Sequence, residues 1–319
     1  MRPMHILLIT LSNIGDVVLA TPVIELLGQR FPGLRIDLAG DARSLSLLAG
    51  TPGLVRCFSK DKARVHRGVW HLLRDLRGER YDLAVDLRSP LIGHLTRARQ
   101  ALCVPWRGRP AGRHAAEDHV AVLRPLLGEV VPPPVRLHVP AGEADWAAER
   151  LADLPRPRVA IAPGANWAPK MWPSGAYATL MQELAPVVGS WVILGSAADR
   201  EAAGPLLGLR DLAIVDAVGE TGLLQAAALL QHCDAFVGND SGLGHMAAAV
   251  GLPTLTVFGP GQPERYRPWS PQARVIVAPG RDLAALEPGP VAGALRDLLA
   301  GSDRGTLAQT RGVEAASSS

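Results

Sequence analysis

The sequence predicts an α/β protein built from two consecutive doubly wound, parallel-sheet modules, and three observations predict it. Short apolar runs alternate with longer segments of helical period, the signature of repeated βαβ units. The alternation breaks at Val131-Pro132-Pro133-Pro134, where three prolines stiffen the chain and block helix, and then resumes. The 319 residues, 48% hydrophobic and 20% charged, suffice for two cores of ordinary size.

In the first module His5–Thr10 reads as a strand, followed by a glycine turn and a helix from about Asp16 to Arg30. Arg35–Ala39, Leu54–Phe58 and Asp82–Leu87 read as further strands, with helical segments near Ser44–Ala49 and Arg64–Arg80. The second series has strands at Arg158–Ala162, Trp191–Leu194, Ala213–Val215, Ala235–Val237 and Thr254–Phe258. Helices near Gly175–Pro186, Asp199–Leu207, Leu223–Gln231 and Gly244–Val250 separate them. The expected domains are residues 1–150 and 151–300, with the break between Pro140 and Pro157. A tail, 301–319, has no apolar period and is expected to be disordered.

Charge is uneven along the chain. Residues 1–150 hold 21 Arg and Lys against 15 Asp and Glu, and the remainder 12 against 15. The surplus is densest from Arg56 to Arg80, including Lys60, Lys62 and Arg64. Such a stretch suits either an anionic partner, phosphorylated lipid or nucleic acid, or an ordinary solvated helix face. Cys57, Cys103 and Cys233 are too few and too scattered for a disulfide framework or a zinc cluster. The most apolar N-terminal run, Ile6–Leu11, is too short for a signal peptide core, and no segment reaches the roughly 18 apolar residues of a membrane span. A cytoplasmic protein is expected.

Three strand-to-helix loops carry chemistry. Leu11-Ser12-Asn13-Ile14-Gly15-Asp16 follows the first strand, at the carboxyl edge where open α/β sheets bind ligands. Asp16 at a helix start suits a general base towards a sugar hydroxyl, or simply an N-cap. Pro163–Pro173 brings Lys170 beside a glycine and a helix start, where it suits a phosphate counter-charge or an exposed lysine on a proline-rich connection. Gly238-Asn239-Asp240-Ser241-Gly242-Leu243-Gly244-His245 puts a nearly bare backbone at a helix N-terminus, suited to a pyrophosphate or to close packing on the sheet. Neither a GxGxxG fingerprint, a GxxxxGK[ST] loop nor a GxSxG elbow is present, which disfavours a nicotinamide oxidoreductase, a P-loop enzyme and a serine hydrolase.

Together the three loops resemble the bacterial heptosyltransferases, glycosyltransferase family nine. Ile9–Pro22 resembles that family's opening segment, Pro163–Pro173 its phosphate-contacting loop, and Gly238–Pro260 its most specific signature. The resemblance implies a GT-B fold, two Rossmann-like domains facing a central cleft, the first for acceptor and the second for donor. It implies Asp16 as general base, and Lys170, Asp199, Asp240, Ser241, Gly242, Leu243 and His245 around the donor. Asp199 stands where related enzymes often have a glutamate. Ser12, Asn13, Gly15, Lys60, Lys62 and Arg64 fall on the acceptor side.

The implied reaction is an inverting, metal-independent transfer of heptose from ADP-heptose, a substrate rather than a cofactor, to a Kdo- or heptose-bearing lipid A. The implied partners are that nucleotide sugar and an anionic glycolipid or saccharide, with no nucleic acid and with room for peripheral contact at the inner membrane. Two further readings stand beside it: a related transferase with another nucleotide sugar or acceptor, and a catalytically silent nucleotide-sugar binder.

Overall fold

The computed structural model describes residues 3–59, 67–106 and 112–301. The tail from Ser302 onward and the basic residues Lys60, Lys62 and Arg64 lie outside the described residues. The chain forms two compact units, Met1–Pro140 with Glu264–Pro271, and Ala141–Pro263 with the segment after Gln272.

The first unit holds a five-stranded sheet of order β3-β2-β1-β4-β5, all parallel. Its strands are β1 (His5–Ile9), β2 (Arg35–Gly40), β3 (Leu54–Ser59), β4 (Tyr81–Asp86) and β5 (Ala98–Cys103). β1 is central and buried along Ile6–Ile9, so it reads as an unbroken apolar run. The helix expected from Asp16 to Arg30 is in fact two, α1 (Ile14–Leu19) and α2 (Thr21–Arg30). Pro22 in the first turn of α2 has no N–H to continue the ladder. The Thr21 hydroxyl instead donates to the Val18 carbonyl at 2.8 Å. α3 (Ala42–Leu47) and α4 (Arg67–Leu76) follow β2 and β3. Leu72 and Leu76 of α4 pack on Leu7, Ile9 and Ala84 of the sheet.

Strand β5 was absent from the sequence reading. It is an edge strand whose Arg99 and Gln100 are exposed, which erases the apolar run that marks the central strands. Beyond it come α5 (Ala115–Val120), α6 (Arg124–Leu127) and the proline stretch. Glu264–Pro271 returns to this unit: Arg265 pairs with Asp118 at 2.9 Å, and the His114 ring contacts the Arg267 carbonyl at 2.9 Å.

Arg56, read as part of a basic face, is largely spent internally. On β3 it bonds Asp37 of β2 at 2.9 Å and Glu79. Asp37 is fully buried and also accepts from the Tyr81 hydroxyl at 3.1 Å, with the His5 ring 3.2 Å away. This network explains how one carboxylate tolerates the middle of a buried sheet. Arg74 on α4, by contrast, stays exposed.

The second unit begins with α7 (Ala141–Leu151), so the break falls at Pro140, the near end of the expected Pro140–Pro157 window rather than at 150. The reason is packing. α7 lies on α10 (Leu223–Gln231), with the His232 ring 3.1 Å from the Ala144 carbonyl and Arg150 paired to Glu220 at 2.9 Å. The sheet has order β11-β10-β9-β6-β7-β8, again wholly parallel. Its strands are β6 (Arg158–Ala162), β7 (Ser190–Ile193), β8 (Ile214–Asp216), β9 (Ala235–Asn239), β10 (Thr254–Phe258) and β11 (Ala273–Val277). Helices α8 (Ser174–Leu184), α9 (Arg200–Leu207) and α11 (Gly242–Ala249) complete the alternation. Trp172, Tyr177, Trp191 and Leu255 fill its core. A last helix spans 288–301.

Candidate active site

Each sheet has a topological switch point, where the strand order reverses and a crevice opens at the carboxyl ends. In the first unit it lies between β1 and β4. The Leu87 amide bonds the Ile9 carbonyl at 3.0 Å, while the next amide of β1, Thr10, bonds Ala39 of β2 at 2.8 Å. Beyond these bonds the two loops part.

Asp16 stands in the loop after β1. The sequence reading put it at the opening of the helix, but Asn13 occupies the N-cap position and Asp16 lies inside the first turn. Gly15 is likewise the second residue of α1 rather than a turn residue. The Asp16 carboxylate accepts from Asn13 Nδ2 at 3.1 Å and caps no backbone amide. As an acidic residue of the first turn it complements the helix dipole without capping an amide. Half-buried and acceptor-only, it is equipped to take a proton. Ser12 and Asn13 flank it, and the loop is pinned from α3, where the Ser44 hydroxyl donates to the Leu11 carbonyl at 2.7 Å.

The loop after β4 went unnoticed in the sequence. Asp86, fully buried, accepts from the amides of Arg88 (3.0 Å), Ser89 (2.8 Å) and Gly93 (3.0 Å). Burial pushes its carboxyl upward, and the three amides pull the other way. The outcome is a pinned loop on which Arg88 is exposed.

In the second unit the switch point lies between β6 and β9. The loops after β6, β9 and β7 carry Lys170, Asp240 and Asp199. Lys170 Nζ donates to Asp240 Oδ2 at 2.6 Å, with Asp240 7% exposed and Lys170 26%. The register of β6 beside β9 brings these residues together across 70 positions of sequence.

Asn239, the buried last residue of β9, ties the loops to one another. Its side-chain oxygen accepts from the Trp172 amide and the Tyr177 hydroxyl, both at 2.9 Å. Its nitrogen donates to the Pro163 carbonyl at 2.7 Å. Gly261 completes the fit, because a Cβ there would lie 2.6 Å from Asp240 Oδ2. The sequence motif gives Asn239 no role of its own; its one signal is an amide that closes a buried strand.

Asp240 leads into Ser241, the N-cap residue of α11, whose side chain caps nothing and whose hydroxyl is buried without a partner. Gly242 and Leu243 form the first turn, where backbone N–H groups have no partner within the helix. His245 follows one residue after Gly244 and is buried. Asp199 is bonded within its own loop. Its Oδ2 accepts from the Ser196 amide and hydroxyl, both at 2.7 Å, and so caps the turn before α9. It also abuts Gly164, where a Cβ would meet its Oδ1 at 2.0 Å. Among the described residues no group of three His, Cys, Asp or Glu could hold a metal ion, and no helix is long and apolar enough to cross a membrane.

The second unit thus offers a lysine cation, a carboxylate and a helix start on one rim, an arrangement suited to a diphosphate bearing a hydroxylated group. The sequence model of Glycosyltransferase family 9 (heptosyltransferase) matches residues 69–287, a span that includes that rim. The chain belongs to glycosyltransferase family 9. It is 30% identical to lipopolysaccharide heptosyltransferase 2 of Escherichia coli K12, over 86% of this chain and 88% of that protein. It is 29% identical to lipopolysaccharide heptosyltransferase 1 of Pseudomonas aeruginosa, over 82% and 80%. The solved E. coli ADP-heptose lipopolysaccharide heptosyltransferase II superposes with a TM-score of 0.78 at 27% identity, covering 94% of this chain and all of that one. This member of family 9 is therefore a glycosyltransferase with two Rossmann-like domains, as the sequence reading expected. Asp16 precedes the segment that the family model matches.

Proposed function

We propose that this glycosyltransferase moves a heptose from ADP-heptose to a lipopolysaccharide inner-core acceptor, by one inverting displacement and without a metal ion. The observation that carries the reading is the Lys170–Asp240 pair at the start of α11. The Lys170 ammonium and the first-turn amides of α11 supply the positive field that a departing diphosphate requires. Asp240 and the partnerless Ser241 hydroxyl supply groups for the sugar and phosphate oxygens. The relatives named above support ADP-heptose and lipopolysaccharide as the substrates.

In the chemical step the acceptor hydroxyl oxygen bonds to the anomeric carbon while its proton passes to Asp16. The bond from that carbon to the diphosphate oxygen breaks, and its electron pair leaves with ADP. A single displacement inverts the anomeric centre. The enzyme works on the cytoplasmic side in this reading, meeting its lipid-borne acceptor at the inner membrane.

Mass spectrometry on purified protein with ADP-heptose and a heptose-deficient inner-core acceptor tests this. One heptose added to the acceptor, with ADP released and activity retained in a chelator, is the expected result. Transfer from another nucleotide sugar alone would move the reading to a related transferase. Donor binding without transfer to any acceptor would make the chain a silent binder. Activity lost to the chelator and restored by magnesium would overturn metal independence.

A further inference from the structure

The first unit carries an arginine at its ligand-bearing edge that the reaction above leaves unused. Arg88 is the second residue beyond β4, immediately past the bond at which β4 and β1 part. It therefore borders the same crevice as the loop carrying Asp16. Its backbone is fixed, since the buried Asp86 side chain holds the amides of Arg88, Ser89 and Gly93. Its side chain is exposed and, among the described residues, makes no hydrogen bond or ion pair. Its field reaches Asp86, but both oxygens of that carboxylate are already taken by backbone amides. Arg56 and Arg265 differ in this respect, being bonded to the buried carboxylates of Asp37 and Asp118.

A guanidinium on a pinned backbone at a switch point, bonded to no carboxylate among the described residues, is arranged for an external anion. We propose that Arg88 binds an anionic group of the acceptor, a carboxylate or a phosphate, and so holds the acceptor at the crevice that carries Asp16. This rests on the transferase reading for the identity of the acceptor. The planar fork suits either oxyanion in a bidentate contact, and the fixed loop lowers the ordering cost of binding.

The test uses the full chain and a deacylated inner-core saccharide in three forms: intact, phosphatase-treated, and carboxyl-reduced. Binding is measured by calorimetry without donor, and KM and kcat with donor. Arg88→Gln should weaken binding of the intact saccharide roughly 10- to 100-fold. It should raise acceptor KM in parallel, with kcat and donor KM within about threefold of the parent, and Arg88→Lys should recover part of the loss. One treated form should bind the parent protein as weakly as the intact form binds Arg88→Gln, with no further loss in the variant; that form identifies the group contacted.

Equal binding by parent and variant, an identical loss on all three forms, or no binding of any form to the parent would overturn the proposal. Binding that depends on Arg88 without sugar transfer would refute the proposed heptose transfer while leaving this site standing. Arg88 is exposed, so an unchanged circular dichroism spectrum is expected to confirm folding.

Discussion

Replacing Lys170 by Met separates the two tasks assigned to the Lys170–Asp240 pair. At 2.6 Å and an effective dielectric of about 20, the gross attraction is about 6 kcal/mol, most of it offset by desolvation. Removing one partner of a fully buried pair costs about 3–5 kcal/mol, and the 26% exposure of Lys170 lowers this to roughly 1–3 kcal/mol. For a unit of this size, a loss of 2 kcal/mol lowers Tm by about 4–8 °C. Asp240→Asn should cost less, because the lysine left behind is the more exposed partner.

The double variant should then be more stable than the two single losses imply, by about 1 kcal/mol or more. Scanning calorimetry of the four proteins without donor measures this coupling. Kinetics with ADP-heptose measure the other task, and both Lys170→Met and the double variant should lose donor turnover. Additive stability losses would show that the pair contributes nothing. Normal donor kinetics in the double variant would reduce it to a structural contact.

Asn239→Ala should destabilise the second unit by about 3–5 kcal/mol, since the Tyr177 hydroxyl and the Trp172 amide lose their acceptor in a dry interior. A loss of unfolding free energy below about 1 kcal/mol in urea titrations would contradict that role for Asn239. A pH effect is expected at His114. Burial holds its imidazole below the ordinary value of 6.5, and as a neutral ring its Nδ1 accepts the Ala116 amide. Below pH 6.5 the unfolded chain takes up a proton that the folded ring resists, so stability falls as the pH drops. His114→Asn should flatten the urea midpoint between pH 7.5 and 5.5; an unchanged slope would assign the acid sensitivity elsewhere.

The parts of this fold legible in the sequence are those with an unbroken apolar run or, at the edge strand β3, a regular alternation. β1, β6, β9 and β10 are central and buried on both faces, so their apolar runs stand out. β5 and β11 sit at sheet edges, where Arg99, Gln100 and Arg274 interrupt the signal. The break after Leu19 was carried by Pro22, whose place in a first turn was overridden by the apolar period on either side.

Of the candidate site, the loops were visible because glycine, aspartate and lysine interrupt strand-to-helix junctions. The partners were not. Lys170 with Asp240, and Asn239 with Trp172, depend on strand register across about 70 residues. Nor does local sequence reveal that Asp86 fixes the loop of Arg88, or that Asp199 spends an oxygen on a turn. Those contacts are tertiary.

The central claim is that Asp16 takes the proton from the acceptor. It is tested most directly by Asp16→Asn, which preserves shape, can still accept from Asn13 through its amide oxygen, and removes the basic carboxylate. Single-turnover transfer should fall roughly 10²- to 10⁴-fold while ADP-heptose binds within about twofold of the parent. Transfer at a near-normal rate would contradict the account and leave Asp16 a loop residue without a part in the chemistry.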